Sequence, residues 1–291
     1  MKQAILITAY KNVNHLVSII NFFDDNFEVY IHFDKKSLIS KEALYSLKKF
    51  SIVKLVSQKY NVNWGGINHL KSILYLSSEA LKNKDIKRFH LISGHDFPIK
   101  NQADFLSFFG TSQSNYIECF EVPFKGWTGN GGLDRLNYFS FYDLLNWKNP
   151  FHRKIIKKII SFQKKIDYKR KSFHKKLKLY GGSTWWSLER ECLDYIIKFT
   201  KQNHYVLKRF KHTFCSEEFY FQTIIMNSNF KSSVANKNLR YIDWSNRNGN
   251  NPSILDESDV KKIETSESFF ARRFEYPTSV KLIEKIKSKF S

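Results

Sequence analysis

The chain has 291 residues, 42% of them apolar and 16% aromatic, enough for one sizeable core, which excludes an intrinsically disordered chain. Its 48 Lys and Arg against 27 Asp and Glu leave a formal charge of +21, which invites a polyanion: nucleic acid, anionic membrane or a phosphate-bearing substrate. Cys119, Cys192 and Cys215 are too scattered for a disulfide framework or a zinc site, and no run approaches the roughly 20 apolar residues that span a bilayer.

The opening run Ala4–Thr8 is short, apolar and β-rich, so it reads as a buried strand rather than a signal peptide. A helix is expected over Asn14–Phe23, then an alternating strand over Phe27–Phe33 (FEVYIHF), ending at Asp34. Lys41–Phe50 reads as a helix, Ile52–Leu55 as a strand, and Asn68–Leu81 as a helix with Leu70, Ile73, Leu74 and Leu76 on one side. Arg88–Ser93 is the next strand, closed by a loop over Gly94–Pro98. Strands alternating with helices imply an α/β fold, with a mixed, mainly parallel sheet flanked by helices. Ligands of such sheets bind beyond the carboxyl ends of the strands, here Thr8–Lys11, Asp34–Ser37 and Ser93–Pro98.

Asn115–Phe120 suggests a further strand and Lys125–Leu133 a Gly-rich loop. From Phe151 to Lys178 there are twelve Lys and Arg and a single acid, Asp167. On a helical wheel Ile155, Ile159, Phe162 and Ile166 share a face, with Lys154, Lys158 and Lys165 beside it. That pattern suits either an anionic membrane surface or a helix packed on its own domain. A basic helical insertion is therefore expected at about 147–180. Beyond it lie a Gly-hinged turn and aromatic strand over Gly181–Leu188, a helix over Glu189–Thr200, a strand at Asn238–Trp244, the aromatic segment Ser268–Phe274 (SFFARRF), and a Lys-rich last helix at Ser279–Phe290. Without repeats or a linker, residues 1–291 read as one domain.

In Thr213–Ser228, TFCSEEFYFQTIIMNS, Ser216 is a candidate helix N-cap with Glu217 and Glu218 in the first turn and apolar residues at helical spacing. A carboxylate there feels the positive end of the helix dipole, stays ionised and suits a general base, although first-turn acids are also routine capping residues. There is no Walker loop, GxGxxG, HExxH or GxSxG. Nor is there a DxD after the second main strand: Asp34 is followed by Lys35 and Lys36, which points to cationic side chains rather than a metal as phosphate partners.

The ordered series YIHFDKKS, NVNWGG, FHLISGHDFPIK, YGGSTWWSLERE, CSEEFYFQTII, LRYIDW and FFARRF resembles the core-2/I-branching β-1,6-N-acetylglucosaminyltransferase family, which also contains peptide O-xylosyltransferases. The resemblance runs from about Ile5 to Phe274. It implies a GT-A-like fold and inverting transfer from a UDP-sugar without an essential metal or other cofactor. It places the catalytic base on Glu218, donor contacts on Ile7, Thr8, Ala9, Asp34, Lys35, Trp64 and Arg273, and acceptor contacts on Glu118, Arg135 and Trp244. A second diphosphate-binding arginine has no clear counterpart; Arg247 and Arg272 both stay open. Asp96 could bind the donor or cap its turn, and Trp185 and Trp186 could be core or acceptor wall.

The chemistry agrees: inversion needs one base for the acceptor hydroxyl and cations for the departing UDP. The expectation is transfer of GlcNAc, or alternatively xylose, to a glycan hydroxyl in bacterial surface polysaccharide synthesis. The acceptor could be lipid-linked, and the enzyme cytoplasmic and peripheral to the inner face of the membrane. Nucleic acid is not expected as a partner, because no RNP motif, zinc finger or recognition helix accompanies the charge. A nucleic-acid-binding protein and a catalytically silent sugar-binding relative are the competing readings from other classes.

Overall fold

The computed structural model describes residues 1–171 and 177–290. The first half of the chain supplies β1 (Lys2–Ala9), β2 (Phe27–Phe33), β3 (Val53–Ser57) and β4 (Ile86–Ser93), separated by the helices Val13–Ile20, Lys41–Lys48 and Ile67–Ala80. Shorter strands follow: β5 (Asp96–Pro98), β6 (Asn115–Ile117), β7 (Phe120–Glu121), β8 (Tyr180–Gly181), β9 (Trp186–Glu189), β10 (Val234–Ala235), β11 (Arg240–Ile242) and β12 (Phe270–Arg272). The main sheet has the order β10-β6-β9-β4-β1-β2-β3, with β9 antiparallel to both neighbours and the other pairs parallel. β11-β12-β5 form a second sheet and β7-β8 a ribbon. This is the mixed, mainly parallel sheet with flanking helices that the alternation implies.

β1 lies inside the sheet and its side chains alternate between two cores. Ala4 and Leu6 join the core beneath the helices Ile67–Ala80, Arg190–Gln202 and Glu217–Met226. Ile5, Ile7 and Ala9 join the core beneath Val13–Ile20 and Val280–Phe290. Coverage on both faces also corrects the reading of FEVYIHF: all seven residues of β2 are buried, so no solvent face exists for an alternating pattern to mark. Arg240 joins the two sheets. Its buried guanidinium donates to the carbonyls of Leu91 (3.0 Å) and Trp186 (2.8 Å) and to Ser187 Oγ (2.8 Å).

Three other expectations change. Gly94–Pro98 is not simply a loop, because Asp96–Pro98 pairs antiparallel with Phe270–Arg272. Lys125–Leu133 contains the short helical segment Thr128–Gly131 and leads into Leu133–Asn137; Gly129, Asn130, Gly131 and Gly132 take left-handed conformations there. The basic segment forms a helix over Pro150–Lys165, while residues 172–176 of the expected insertion lie outside the described residues. That helix packs through Ile156 and Gln163. The face expected to pack is only partly used, and Phe162 and Ile166 remain 62% and 55% exposed.

Candidate active site

Thr8 stands two residues beyond Leu6 on β1, so it belongs to the strand face covered by Ile67–Ala80 and Glu217–Met226. Its Oγ1 lies 3.3 Å from Nε2 of His69, in the first turn of Ile67–Ala80, and His69 Nδ1 lies 3.1 Å from Glu217 Oε1. Asp143 holds the start of that helix by accepting from the backbone N–H groups of Ile67 (3.0 Å) and Asn68 (3.2 Å). Just before it, the Gly65 carbonyl accepts from the Cys215 N–H at 3.0 Å. Gly65 has φ +78°, and a Cβ there would come within 2.6 Å of the Phe214 ring, so only glycine lets the two turns meet this closely. This contact brings the Thr213–Ser216 turn, and with it Glu217 and Glu218, to the end of β1.

The turn does not act as the capping pattern suggests. The Ser216 hydroxyl makes no capping bond, and its backbone is already helical. Glu217 is buried against His69 instead of capping its own helix. Nor does Glu217–Met226 carry an apolar stripe: Glu217 and every residue from Phe219 to Ile225 are buried, because neighbouring segments surround the helix.

Glu218 faces the other way and keeps 30% of its side chain exposed. Arg135 Nη2 donates to Glu218 Oε2 at 2.6 Å, so this residue, expected on the acceptor side, sits on the candidate base itself. Its guanidinium also donates to the carbonyls of Phe214 (3.2 Å) and Cys215 (3.3 Å). It packs 4.4, 5.0 and 4.6 Å from the rings of Trp127, Phe214 and Phe219. Burial pushes the Glu218 carboxyl above its ordinary range, Arg135 pulls it back and Glu217 adds to the rise. Ionisation is therefore governed by desolvation and Arg135, a correction to the expectation that the helix dipole keeps this acid charged. Glu118 adjoins through a glycine turn: its Oε2 accepts from Ser183 N–H at 3.1 Å, and Gly182 N–H donates to the Glu218 carbonyl at 2.9 Å. A Cβ on Gly182 would lie 1.9 Å from the Glu118 carbonyl oxygen, so this approach also requires glycine.

Beyond Ala9 the surroundings are cationic. Arg273 donates to Glu275 Oε1 at 2.5 Å, Lys11 donates to Glu275 Oε2 at 3.0 Å, and His95 Nδ1 lies 3.3 Å from Glu275 Oε1. Burial opposes ionisation of Glu275, but the bonds from Arg273 and Lys11 outweigh it and hold the carboxyl below its ordinary range. Burial pushes the His95 imidazole down. Lys148 adds a further charge, its Nζ 5.2 Å from the Tyr10 ring centroid. Lys11 and Arg273 thus share one carboxylate, and with Lys148 on the adjoining Tyr10 ring the strand end is net positive. Sequence reasoning held Lys11 and His95 only as members of the candidate loops Thr8–Lys11 and Ser93–Pro98, and missed Lys148, Glu275 and His69. Glu275 directly follows the FFARRF segment and could have been noticed there.

The two arginines left open are both engaged. Arg272 is opposite Asp96 in the β12–β5 register, 3.4 Å from its Oδ1, and lies 4.2 Å from the Trp185 ring. Asp96 is fully buried and accepts from the Ser93 N–H, so it ties the strand end rather than facing a ligand. Arg247 is paired with Asp259 and also faces Asp256 (3.7 Å) and Asp243 (3.9 Å). Asp34 is at the end of β2, its N–H bonded to the Ala9 carbonyl, and its Oδ1 accepts from the backbone of Lys36 (3.1 Å) and Val62 (2.9 Å). Lys35 is exposed beside it. Trp64 is half exposed against Phe214 (4.9 Å) and Trp147 (6.3 Å), forming a wall next to Arg135. Trp244 is 65% exposed after β11, without a ring partner among the described residues. Trp186 is core, its ring tilted against Phe221 at 5.1 Å, and Trp185 is buried under Arg272. Among the described residues no group of three or more His, Cys, Asp or Glu is placed to hold a metal ion.

The sequence profile of the core-2/I-branching enzyme family matches residues 4–265. The chain belongs to this family. It is 23% identical over 285 residues to a xylosyltransferase of Ciona intestinalis, covering 92% of this chain and 31% of the relative. It is 24% identical over 276 residues to the β-glucuronosyltransferase GlcAT14A of Arabidopsis thaliana, covering 88% of this chain and 57% of the relative. It therefore spans from about a third to somewhat over half of these relatives' length. Among solved structures, mouse xyloside xylosyltransferase 1 in its apo form aligns with a TM-score of 0.39 at 12% identity, covering 95% of this chain and 98% of that one. The Staphylococcus aureus TarS 1–349 complex with UDP-GlcNAc aligns with a TM-score of 0.32 at 18% identity, over 44% of this chain and 37% of that one. Similarity at these scores adds nothing to the family assignment.

Proposed function

We propose that this core-2/I-branching chain is an inverting glycosyltransferase that moves a sugar from UDP to a hydroxyl of an acceptor glycan without a metal ion. One observation carries the reading. The end of β1 separates a carboxylate poised by Arg135 from a cluster in which Lys11 and Arg273 share the single carboxylate of Glu275, with Lys148 close by on the Tyr10 ring. Inversion needs these two parts on opposite sides of the reacting carbon: Glu218 takes the proton from the acceptor hydroxyl, and the cations meet the charge on the departing diphosphate. Arg273 can fork onto two phosphate oxygens in place of Glu275. Thr8, held by His69, and Ala9 form the floor on which the uridine end rests, with Ile7 packed beneath and Asp34 and Lys35 at the adjoining strand end. Trp64 offers an aromatic face for the donor sugar and Glu118 a neighbouring carboxylate for the acceptor. Trp244 closes the acceptor side only if its exposed ring moves inward.

GlcNAc is the proposed donor sugar, and the acceptor a bacterial surface polysaccharide or its lipid-linked precursor, built at the cytoplasmic face of the membrane. Xylose and glucuronic acid, the sugars that the relatives' names carry, are the alternatives. Calorimetric titration with UDP, UDP-GlcNAc, UDP-xylose and UDP-glucuronate, each in EDTA, tests the reading. The expected result is UDP binding in EDTA, with one sugar nucleotide turned over. Binding or turnover that appears only with Mn²⁺ or Mg²⁺ would reject the metal-free mechanism, and no UDP binding under either condition would reject the activity.

A further inference from the structure

The helix Pro150–Lys165 contains six Lys and Arg and no acid. Asn149 caps its start, accepting from the N–H groups of Phe151 and His152, and Pro150 occupies the first turn. It docks through Ile156 and Gln163. The Gln163 amide fixes the rotation by accepting from Phe139 N–H (2.9 Å) and donating to the Phe139 carbonyl (3.0 Å). With that rotation fixed, Phe151, Ile155, Phe162 and Ile166 fall in a row alongside the docked face. Phe151, Phe162 and Ile166 are 68%, 62% and 55% exposed. The next row outward is Lys154, Lys158 and Lys165, and none of the three has an ion-pair partner among the described residues.

We infer that this helix face docks on an anionic lipid bilayer, with Phe151, Phe162 and Ile166 entering the headgroup–acyl boundary and Lys154, Lys158 and Lys165 meeting acidic headgroups. Three large apolar side chains in one exposed row, bordered by unpaired lysines, form the surface of an interfacial helix. Charge argues against a second copy as the occupant. A two-fold contact sets a patch against itself, which would bring six cations against another six with no acid on either helix. The start of the helix also adjoins the proposed site. Arg153 and Lys157 each lie 6.0 Å from the Trp147 ring, and Trp147 packs on Trp64. No helix among the described residues is long and apolar enough to cross a membrane, so attachment here is along the surface.

The test is flotation of the full chain with vesicles of phosphatidylcholine alone and of phosphatidylcholine mixed with phosphatidylglycerol. Two variants accompany it: Phe162→Ser with Ile166→Ser, and Lys154→Gln with Lys158→Gln and Lys165→Gln. All five side chains are exposed, so both variants should melt with the wild type. Wild type should float only with the phosphatidylglycerol vesicles and be released at about 1 M salt, where charges are screened beyond roughly 3 Å. Each lysine contributes about fivefold in partitioning, so the triple variant should lose about a hundredfold. The double variant should float only weakly with the phosphatidylglycerol vesicles and not with phosphatidylcholine alone. Equal flotation with both vesicles, flotation with neither, or variants indistinguishable from wild type would overturn the inference. A dimer in sedimentation velocity that the serine variant converts to monomer would reassign the face to a contact between copies.

Discussion

Replacing Glu218 by Gln removes the proposed base while leaving its surroundings in place. The amide keeps the side-chain length and an oxygen for Arg135 Nη2, which approaches Glu218 Oε2 at 2.6 Å. Arg135 is also held by two backbone carbonyls and three rings, so it has little reason to move when the charge goes. The stability cost should be small. The Glu218 carboxyl is pushed up, chiefly by burial. A carboxyl whose folded pKa lies above its unfolded one stabilises the fold at low pH and loses that contribution as pH rises through the folded value. At neutral pH the ionised group is therefore a net burden even with Arg135 beside it, and Gln relieves it. The catalytic cost should be large. Loss of a general base lowers kcat by about 10²–10⁴-fold, or about 3–5 kcal/mol of barrier.

The assay is single-turnover release of UDP from the sugar nucleotide that calorimetry selects, alongside the Kd for UDP. Glu218→Gln should show the full loss in turnover with an unchanged Kd, because the base acts on the acceptor hydroxyl. Glu217→Gln is the internal control. Its amide oxygen can still accept from His69 Nδ1, which lies 3.1 Å from Glu217 Oε1, so a much milder loss is expected. A dead Glu217 variant beside an active Glu218 variant would move the base one residue back, to act through His69. Full activity in both would remove this helix from the chemistry.

Arg273→Ala should weaken UDP binding by about 10–100-fold, the range for losing a hydrogen bond to a charged group; Glu275→Gln should tighten it by freeing Lys11 and Arg273, and unchanged affinity in both would take the cluster out of diphosphate recognition. The acid limb of the kcat–pH profile should lie above the ordinary carboxylate range, because a base with a raised pKa stays protonated to higher pH. Arg135→Met removes the main charge holding that pKa down and should move the limb further up, so a limb that stays in place would refute the coupling. Arg240→Leu leaves the buried Leu91 and Trp186 carbonyls without this donor at about 1–3 kcal/mol each. The urea midpoint should fall accordingly, and an unchanged midpoint would show that the clamp between the sheets is not structural.

The fold was legible because its dominant contacts are local or repetitive. β1 read as an apolar run, β2 and β4 were found as strands although the alternation read into β2 marks no solvent face, and helix spacing marked Ile67–Ala80 within a residue at each end. Gln102–Thr111 escaped, although Asn101 accepts from Asp104 N–H in the pattern of a helix start. The candidate site was legible only where one short segment carries it, as with Glu218 and Arg273. His69 was not, because its meaning lies in partners 61 and 148 residues away, Thr8 and Glu217. No neighbour in NHLKS marks that histidine as anything but a helix residue.

Sequence, through the resemblance, put Arg273 on the donor side but left Arg272 open, and the strand register gives Arg272 its place. Pairing of β12 with β5 sets Arg272 against Asp96, packing it over Trp185, and leaves Arg273 to the cluster with Lys11. The basic helix shows the same limit in another form. Periodicity finds an apolar surface wider than one row, but it cannot say which row meets the domain. The bonds between Gln163 and Phe139 decide that, and they turn Phe162 and Ile166 outward. In both places a polar partner distant in sequence selects between two arrangements that the apolar pattern alone leaves equal. The residues that selection leaves available, the partly exposed Arg273 on Glu275 in one case and the exposed Phe162 row in the other, are those given a ligand or a surface to bind.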